Sequence, residues 1–214
     1  MISVCRHRSL LSIASVLGAF VAGTGLVASL GAQNTKPAPA PINNDEIAKA
    51  MVAAQKFTVP STHHKELERF VGKWTTKSRI FMGGTATPPE SGTAEFRWLM
   101  DGRWLICDTD GSMMGMKMKG FVLLGYDNFK MSYVQTSVTD FDTAMNRMEG
   151  DMDPSGKSLL LYGTLDEYLT GEHDKMVKYV YRFDSADRIT LEVHDLPIGE
   201  HNTKVVEWIF ERVK

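Results

Sequence analysis

The chain has 214 residues, and its 24 Lys and Arg against 26 Asp and Glu give a formal net charge of −2. This balance disfavours nucleic acid as a partner, because nucleic-acid binding needs a concentrated basic face. The cysteines are Cys5 and Cys107, and Cys5 lies in a segment that we expect to be removed, which excludes an intramolecular disulfide in the remaining chain.

The first 32 residues have the pattern of a secretory signal peptide. Arg6 and Arg8 form a basic start, and no charged residue occurs from Leu10 to Ala32. We therefore predict a signal peptide over residues 1–32 and an exported protein, either periplasmic or secreted. The alternative is an uncleaved membrane anchor, since about 20 apolar residues can span a bilayer. Removal would take two basic residues and no acidic one, leaving a net charge of about −4.

Residues 33–43 contain alternating Pro and Ala, which predicts a stiff, extended linker. The single domain then covers residues 44–214. Asn44 or Asp45 can cap a helix over residues 45–57. An apolar stripe recurs along this helix with helical spacing. Its members are Ile47, Met51, Ala54 and Phe57.

A second short helix is predicted over residues 61–71, with Leu67 and Phe70 or Val71 on its buried side and Gly72 at its end. His64 lies on this helix, where it is expected to hydrogen-bond the backbone at the junction with the following domain. Both helices are expected to pack at one end or along one side of that domain.

From Lys73 onward the hydrophobic period changes to two, and turn signals recur every eight to twelve residues, as in sandwiches and barrels. Asp101-Gly102 is the strongest hairpin signal. The predicted strands cover residues 73–82, 91–99, 103–111, 119–126, 129–138, 144–152, 158–167, 174–184, 188–196 and 202–213. Because every connection is short, these ten strands are expected to pair as an antiparallel up-and-down meander that curls into a barrel. The predicted fold class is therefore mainly all-β.

Several short motifs resemble one bacterial protein family. They are His64-x-x-Leu67, Gly72-Lys73-Trp74, Gly102-Arg103-Trp104-Leu105, Gly120, Leu124-Gly125-Tyr126-Asp127, Gly150-Asp151, Gly156-Lys157-Ser158-Leu159, Gly163 and Phe210-Glu211-Arg212. Their order and spacing over residues 61–214 are similar to those of the family known as domain of unknown function 1579. The resemblance implies a calycin-like barrel of lipocalin form and no established activity.

A barrel of this size can enclose a cavity lined by aromatic and apolar side chains, with a few polar groups that orient a guest. The candidates for such a lining are Trp74, Arg97, Trp104, Tyr126, Gln135, Tyr179, His194 and Trp208. Our first hypothesis is therefore an exported module that binds a small hydrophobic or amphipathic molecule without covalent chemistry. Alternatively, the rings fill the barrel completely, and the protein has a structural or interaction role.

A methionine-rich run gives a metal-binding alternative. Met113, Met114, Met116 and Met118 carry thioethers, which are soft ligands suited to Cu(I). Methionine is also a flexible apolar filler and a common adaptable contact surface. Cu(I) is thus an alternative cofactor, while the first hypothesis needs neither cofactor nor metal.

An enzyme is the remaining alternative, and we favour it less than a binding module. Asp108 and Asp110 share a strand face and could act as the carboxylate pair of a hydrolase, or His194 could serve as a catalytic group. The sequence has no nucleophile elbow, phosphate loop, dinucleotide fingerprint or metalloprotease motif. We therefore assign no catalytic residue.

Overall fold

The computed structural model describes residues 43–167, 170–196 and 203–214. The predicted signal peptide and all of the linker except Asn43 lie outside these residues. Among the described helices, none is long and apolar enough to cross a bilayer. Residues 43–214 form one unit by their contacts.

Two helical segments precede the barrel. Helix α1 covers Asn44–Thr58, and its cap is Asn43, whose side chain accepts a hydrogen bond from the backbone N–H of Asp45 at 3.0 Å. The expected cap, Asn44 or Asp45, is thus one or two residues too late. Helix α2 covers Thr62–Glu66 and continues into a 3₁₀ turn, Leu67–Phe70, so the second predicted helix is two short pieces.

The apolar stripe of α1 is not covered, since no residue of this helix is buried and Met51 is 68% exposed. The end of α1 is tied to the barrel, where the Phe57 ring meets the Phe129 ring at 5.3 Å. The Asn128 side chain also donates to the carbonyl of Val59 at 2.8 Å. Only the C-terminal end of this helix therefore packs against the barrel as expected, and the rest of the helix does not.

The strands follow the predicted order. They are β1 (Gly72–Met82), β2 (Thr85–Ala86), β3 (Glu90–Leu99), β4 (Trp104–Met113), β5 (Met116–Asp127), β6 (Ser132–Thr139), β7 (Asn146–Met152), β8 (Ser158–Glu167), β9 (Glu172–Ser185), β10 (Arg188–Asp195) and β11 (Thr203–Arg212). All pairings are antiparallel, and they join neighbours in the chain except for β1 with β3 and β1 with β11. Strand β2 is a two-residue ribbon against the end of β1.

The sheet closes on itself because β1 also pairs with β11, from Trp74 opposite Arg212 to Ile80 opposite Val206. Ten of the described strands therefore form a closed barrel, as the alternating pattern predicts. Closure leaves no long unpaired strand edge in the ring. The sequence did not predict β2, which is too short to show a period.

One end of the barrel is plugged by the 3₁₀ turn. Phe70 is 1% exposed, and its ring lies 5.2 Å from that of Phe96 and 5.3 Å from that of Tyr181. The indole N–H of Trp74 donates to the carbonyl of Phe70 at 2.8 Å. Because aromatic side chains bury large areas, this plug fixes the turn against the barrel.

Arg212 holds the same end together from the last strand. Its guanidinium lies 4.1 Å from the centre of the Trp74 ring, and Nη2 donates to the carbonyl of Arg69 at 2.9 Å. Gly72 has a positive φ of 129°, and a Cβ there would lie 2.6 Å from Nη1 of Arg212. A larger residue at this position would displace the arginine, which explains why the motif begins with glycine.

Candidate functional site

The barrel contains a cavity at the end opposite the plug, with a volume of about 460 Å³. Drug-sized ligands occupy pockets of about 300–1,000 Å³. Its wall is mostly apolar. The apolar side chains that line it include Ile80, Phe81, Val122, Leu165, Leu191, Val193, Val206 and Trp208. The cavity has room for a small organic molecule.

Phe96, Cys107, Gln135 and Tyr181 line the inner part of the cavity, which we call the floor, and all four are buried. Because the rings of Phe96 and Tyr181 also contact Phe70, the floor rests directly on the plug. The cavity therefore ends where the packed core begins.

The floor carries one buried hydrogen bond. The hydroxyl of Tyr181, which is 4% exposed, donates to Oε1 of Gln135, which is 3% exposed, at 2.9 Å. Burial raises the pKa of Tyr181, so its hydroxyl keeps its proton. Nε2 of Gln135 has no acceptor among the described residues and is not sealed in the protein, so this amide N–H faces the cavity.

Tyr179 adds a second polar group to the wall. Its side chain lines the cavity two residues before Tyr181, and burial raises its pKa to about 12. The phenol is therefore neutral at physiological pH. Within the described part of the chain its hydroxyl has no hydrogen-bond partner, which leaves it available to a guest.

Cys107 is a free, buried thiol in the floor. Burial, and then the nearby Asp108 carboxylate, raise the pKa of this thiol. The thiolate is the nucleophilic form of cysteine, so this environment suppresses covalent chemistry at Cys107. Its side chain serves as a small apolar part of the wall.

The outer part of the cavity, which we call the mouth, carries charge. The charged side chains that line it are Asp142, Asp166, Glu167, Lys175 and Asp195. The Nζ atom of Lys175 lies 2.8 Å from Oδ2 of Asp195, and both side chains are about one-fifth exposed. The hydrogen bond to Asp195 raises the pKa of Lys175, with further contributions from nearby carboxylates, so the pair is a stable part of the mouth.

Methionines line one side of the mouth. Met113, Met114 and Met118 all border the cavity, and Met118 is only 7% exposed. Met116 pairs with Met113 across the hairpin, is about half exposed and does not line the cavity. In the described ranges, no three His, Cys, Asp or Glu side chains are grouped as a metal site.

Of the eight predicted lining residues, Gln135, Tyr179 and Trp208 border the cavity. Trp74 lies inside the barrel, but at the plugged end beneath Arg212. Arg97 is on the outer face, where its Nη2 lies 3.0 Å from Oδ2 of Asp108. The structure therefore places these two residues away from the cavity.

Trp104 and Tyr126 border a different, smaller cleft of about 220 Å³ beside the end of α1. His64 also lines this cleft, and its Nδ1 accepts the backbone N–H of Ser61 at 3.0 Å, as the sequence predicts for the junction. Burial, followed by the charges of His63 and Arg103, lowers the pKa of His64. The ring is therefore neutral and anchors α2.

His194 lies on the outer face in a group of charged side chains. Its Nε2 is 3.4 Å from Oε2 of Glu192, and its Nδ1 is buried without a partner in the described residues. Lys204 joins this group, donating to Glu192 at 3.1 Å and to Glu207 at 2.7 Å. His194 is thus separated from the cavity by the barrel wall.

The predicted carboxylate pair also lies outside. Asp108 and Asp110 are both exposed, and they face Arg97 and Lys119 on the surface. Inward-facing residues of β4 are Leu105, Cys107 and Thr109, which occupy the alternate positions. This pair therefore has no cleft in which to act on a substrate.

Sequence reasoning missed much of the lining, including Phe96, Lys175, Tyr181 and Asp195. A signal existed for Tyr181, because residues two apart on a strand share a face and Tyr179 was already a candidate. Asp195 shares a face with the apolar Leu191 and Val193, whereas His194 alternates with them. Nothing in the sequence brings Lys175 next to Asp195, since their contact depends on the strand register.

Comparisons with known proteins identify a protein family and solved structures that resemble this chain. A family model described as "Protein of unknown function (DUF1579)" matches residues 59–212. Rv2717c from M. tuberculosis has a similar fold, with a TM-score of 0.53, 12% identity and coverage of 73% of this chain and 100% of that chain. An S-type phycobiliprotein lyase, CPES from Guillardia theta, gives a TM-score of 0.45 at 12% identity, covering 72% and 99%. No curated protein matches the sequence.

Proposed function

Since the chain belongs to the DUF1579 family, whose function is unknown, we propose from its own site that it binds a small, partly apolar molecule inside the barrel. The observation that carries this proposal is the cavity of about 460 Å³ with the unpaired Gln135 amide N–H at its floor. A ligand acceptor at this N–H replaces cavity water, and a hydrogen bond of this kind contributes about 0.5–1.5 kcal/mol.

The chemistry of the wall supports binding without reaction. Cys107, Tyr179 and Tyr181 are held in their protonated forms by burial, so none of them is an activated nucleophile or base. The apolar side chains supply affinity, and the polar groups of the floor orient the guest.

We also propose that the protein acts outside the cytoplasm, either periplasmic, secreted or held at the membrane by an uncleaved N-terminal segment. The support is the sequence pattern of the first 32 residues, a basic start followed by an uncharged apolar stretch. A barrel that carries a partly apolar molecule through an aqueous compartment would be consistent with this location.

The first test is native mass spectrometry of the protein purified from an exporting host, before and after mild denaturation. A co-purifying organic mass that is released on denaturation is the expected result. Its partner experiment is fluorescence titration with N-phenyl-1-naphthylamine, a neutral apolar probe. The titration does not require the natural ligand. It therefore tests whether the cavity binds an apolar molecule even if the natural ligand is lost on purification.

A matched pair of variants locates the binding site. Ser137 faces the cavity, whereas its neighbour Thr136 on β6 faces outward, as the alternation of the strand requires. Ser137→Phe is expected to weaken probe binding by about tenfold or more, because the ring occupies the space of the guest. Thr136→Phe should leave affinity unchanged. Equal effects, or no probe binding by the folded wild type, would contradict the proposal.

Binding of Cu(I) is a second candidate, favoured by the three thioethers that border the mouth together. Competition against a chromogenic Cu(I) chelator measures it directly. We expect Met113→Leu with Met118→Leu to abolish any binding, whereas the exposed Met145→Leu serves as the control. Unchanged Cu(I) affinity in the double variant would exclude this site.

A further inference from the structure

The mouth of the cavity carries more negative than positive charge. Within the described residues its lining has the carboxylates of Asp142, Asp166, Glu167 and Asp195 and the ammonium of Lys175. Since Lys175 is paired with Asp195 at 2.8 Å, these two charges offset each other. The lining therefore keeps a net negative charge around an opening whose inner wall is apolar, and low-dielectric walls concentrate such a field at the opening.

Two cations beside the Phe81 ring are already paired with carboxylates. Lys204 lies 4.7 Å from the Phe81 ring, which lines the mouth, but its Nζ donates to Glu207 and Glu192. Arg79 also contacts that ring, and its Nε donates to Glu207 at 2.7 Å. Two cations therefore face two carboxylates on the outer surface, and they do not reverse the charge of the mouth.

Two of the mouth carboxylates each have one oxygen that makes no hydrogen bond within the described residues. Oδ1 of Asp142 accepts the backbone N–H of Ala144 at 3.0 Å. Oδ1 of Asp166 accepts that of Asp174 at 3.2 Å and lies 3.4 Å from Nδ1 of the exposed His173. Oδ2 of neither residue has a hydrogen-bond partner in the described parts of the chain. These oxygens can accept hydrogen bonds from a ligand without loss of the turn structure that positions them.

The cavity also presents aromatic faces and a buried donor. Trp208 and Tyr179 line it, and aromatic faces attract organic cations. At the floor, Gln135 is 3% exposed, and its amide N–H lacks an acceptor among the described residues. A complementary ligand therefore has an acceptor at the floor, such as a carbonyl, ether or hydroxyl oxygen, and a positive charge at the mouth.

We propose that the ligand of this cavity is an amphipathic organic cation, with an apolar body in the barrel and an amine or quaternary ammonium at the mouth. This inference rests on the proposed function and narrows its ligand class. Apolar burial provides most of the affinity, and the mouth selects the sign of the head group. An anionic amphiphile of the same length meets repulsion at the same position.

The test compares three probes of equal chain length: decylamine, decanol and decanoate. Each displaces N-phenyl-1-naphthylamine from the full chain at neutral pH, where the amine is protonated and the acid ionised. We expect decylamine to bind about tenfold more tightly than decanoate at low salt, with decanol between them. Raising the ionic strength to about 0.5 M should shrink the difference, since salt screens exposed charges.

Matched variants locate the effect. Asp142→Asn with Asp166→Asn keeps the Oδ1 acceptors and removes two charges, and it is expected to lose most of the preference for decylamine. Asp110→Asn on the outer face removes charge outside the cavity and should preserve the preference. Decanol affinity should be the same in the wild type and in Asp110→Asn, and far-UV circular dichroism shows whether all three proteins are folded.

The outcomes separate the two proposals. If decanol binds but decanoate binds as tightly as decylamine, the cationic ligand class is wrong and the cavity function stands. A preference for decylamine that persists in the double variant also overturns the inference, because the mouth carboxylates would not be its cause. If the folded protein binds none of the three probes, both the inference and the proposed function fail.

Discussion

A double-mutant cycle on the floor of the cavity tests how the barrel holds its buried polar pair. Tyr181→Phe removes the hydroxyl that donates to Oε1 of Gln135 at 2.9 Å, and Gln135→Met removes the acceptor while keeping a similar shape. Each single change leaves a buried partner unpaired, which costs about 1–3 kcal/mol of unfolding free energy. The cavity admits water to this pair, so we expect about 1 kcal/mol for each.

The double variant should cost less than the sum of the single changes, because no unpaired group of this bond remains. We expect a coupling energy of about 1 kcal/mol, within the range of about 0.5–3 kcal/mol for residues in contact. Urea unfolding followed by far-UV circular dichroism measures it, and the exposed Tyr162→Phe on β8 is the control, with a change below about 0.5 kcal/mol. Additive single effects would refute the reasoning.

Three further predictions concern the plug, the thiol and the junction histidine. Phe70→Ala is expected to lower the unfolding free energy by about 3–5 kcal/mol in urea, whereas the exposed Met51→Ala should change it by less than about 0.5 kcal/mol. Cys107 should react with a thiol reagent only in denaturant, since burial raises its pKa, and fast reaction of the native protein would contradict its position in the floor. For His64, the folded pKa lies below the ordinary value of 6.5, so the unfolded chain takes up the proton first as pH falls. The stability of the wild type relative to His64→Asn should therefore be largest above pH 6.5 and decline below it, as urea midpoints at several pH values will show.

The strand order was predictable because two-residue alternation survives in nearly every strand. The Asp101-Gly102 hairpin is present, but its loop is longer than two residues, because Leu99 pairs with Trp104 and leaves residues 100–103 between the strands. The exposed stripe of α1 was not predictable. Helical spacing shows which residues share a face, and it does not show what covers that face.

The candidate site was predictable only in part. We chose residues mainly by their type and gave less weight to which face of the strand each residue occupies. Trp104 alternates with the inward-facing Leu105 and Cys107, so it faces outward despite its size. Trp74 does face the interior, but it lies at the plugged end. Alternation along a strand shows which residues face inward and does not show how far along the barrel they lie. Lys175 and Asp195 meet because β9 and β10 pair in a particular register, which local sequence does not determine.

The pairing of β1 with β11 has a consequence for biosynthesis. All other pairings join strands close in sequence and can form early in folding, but Trp74 must wait for Arg212 of β11, the last strand of the barrel. Until then, the first and last strands are open edges that can join those of other chains. A chain that lacks β11 is thus vulnerable to aggregation, and we expect chaperone dependence to be greatest for products that stop before this strand.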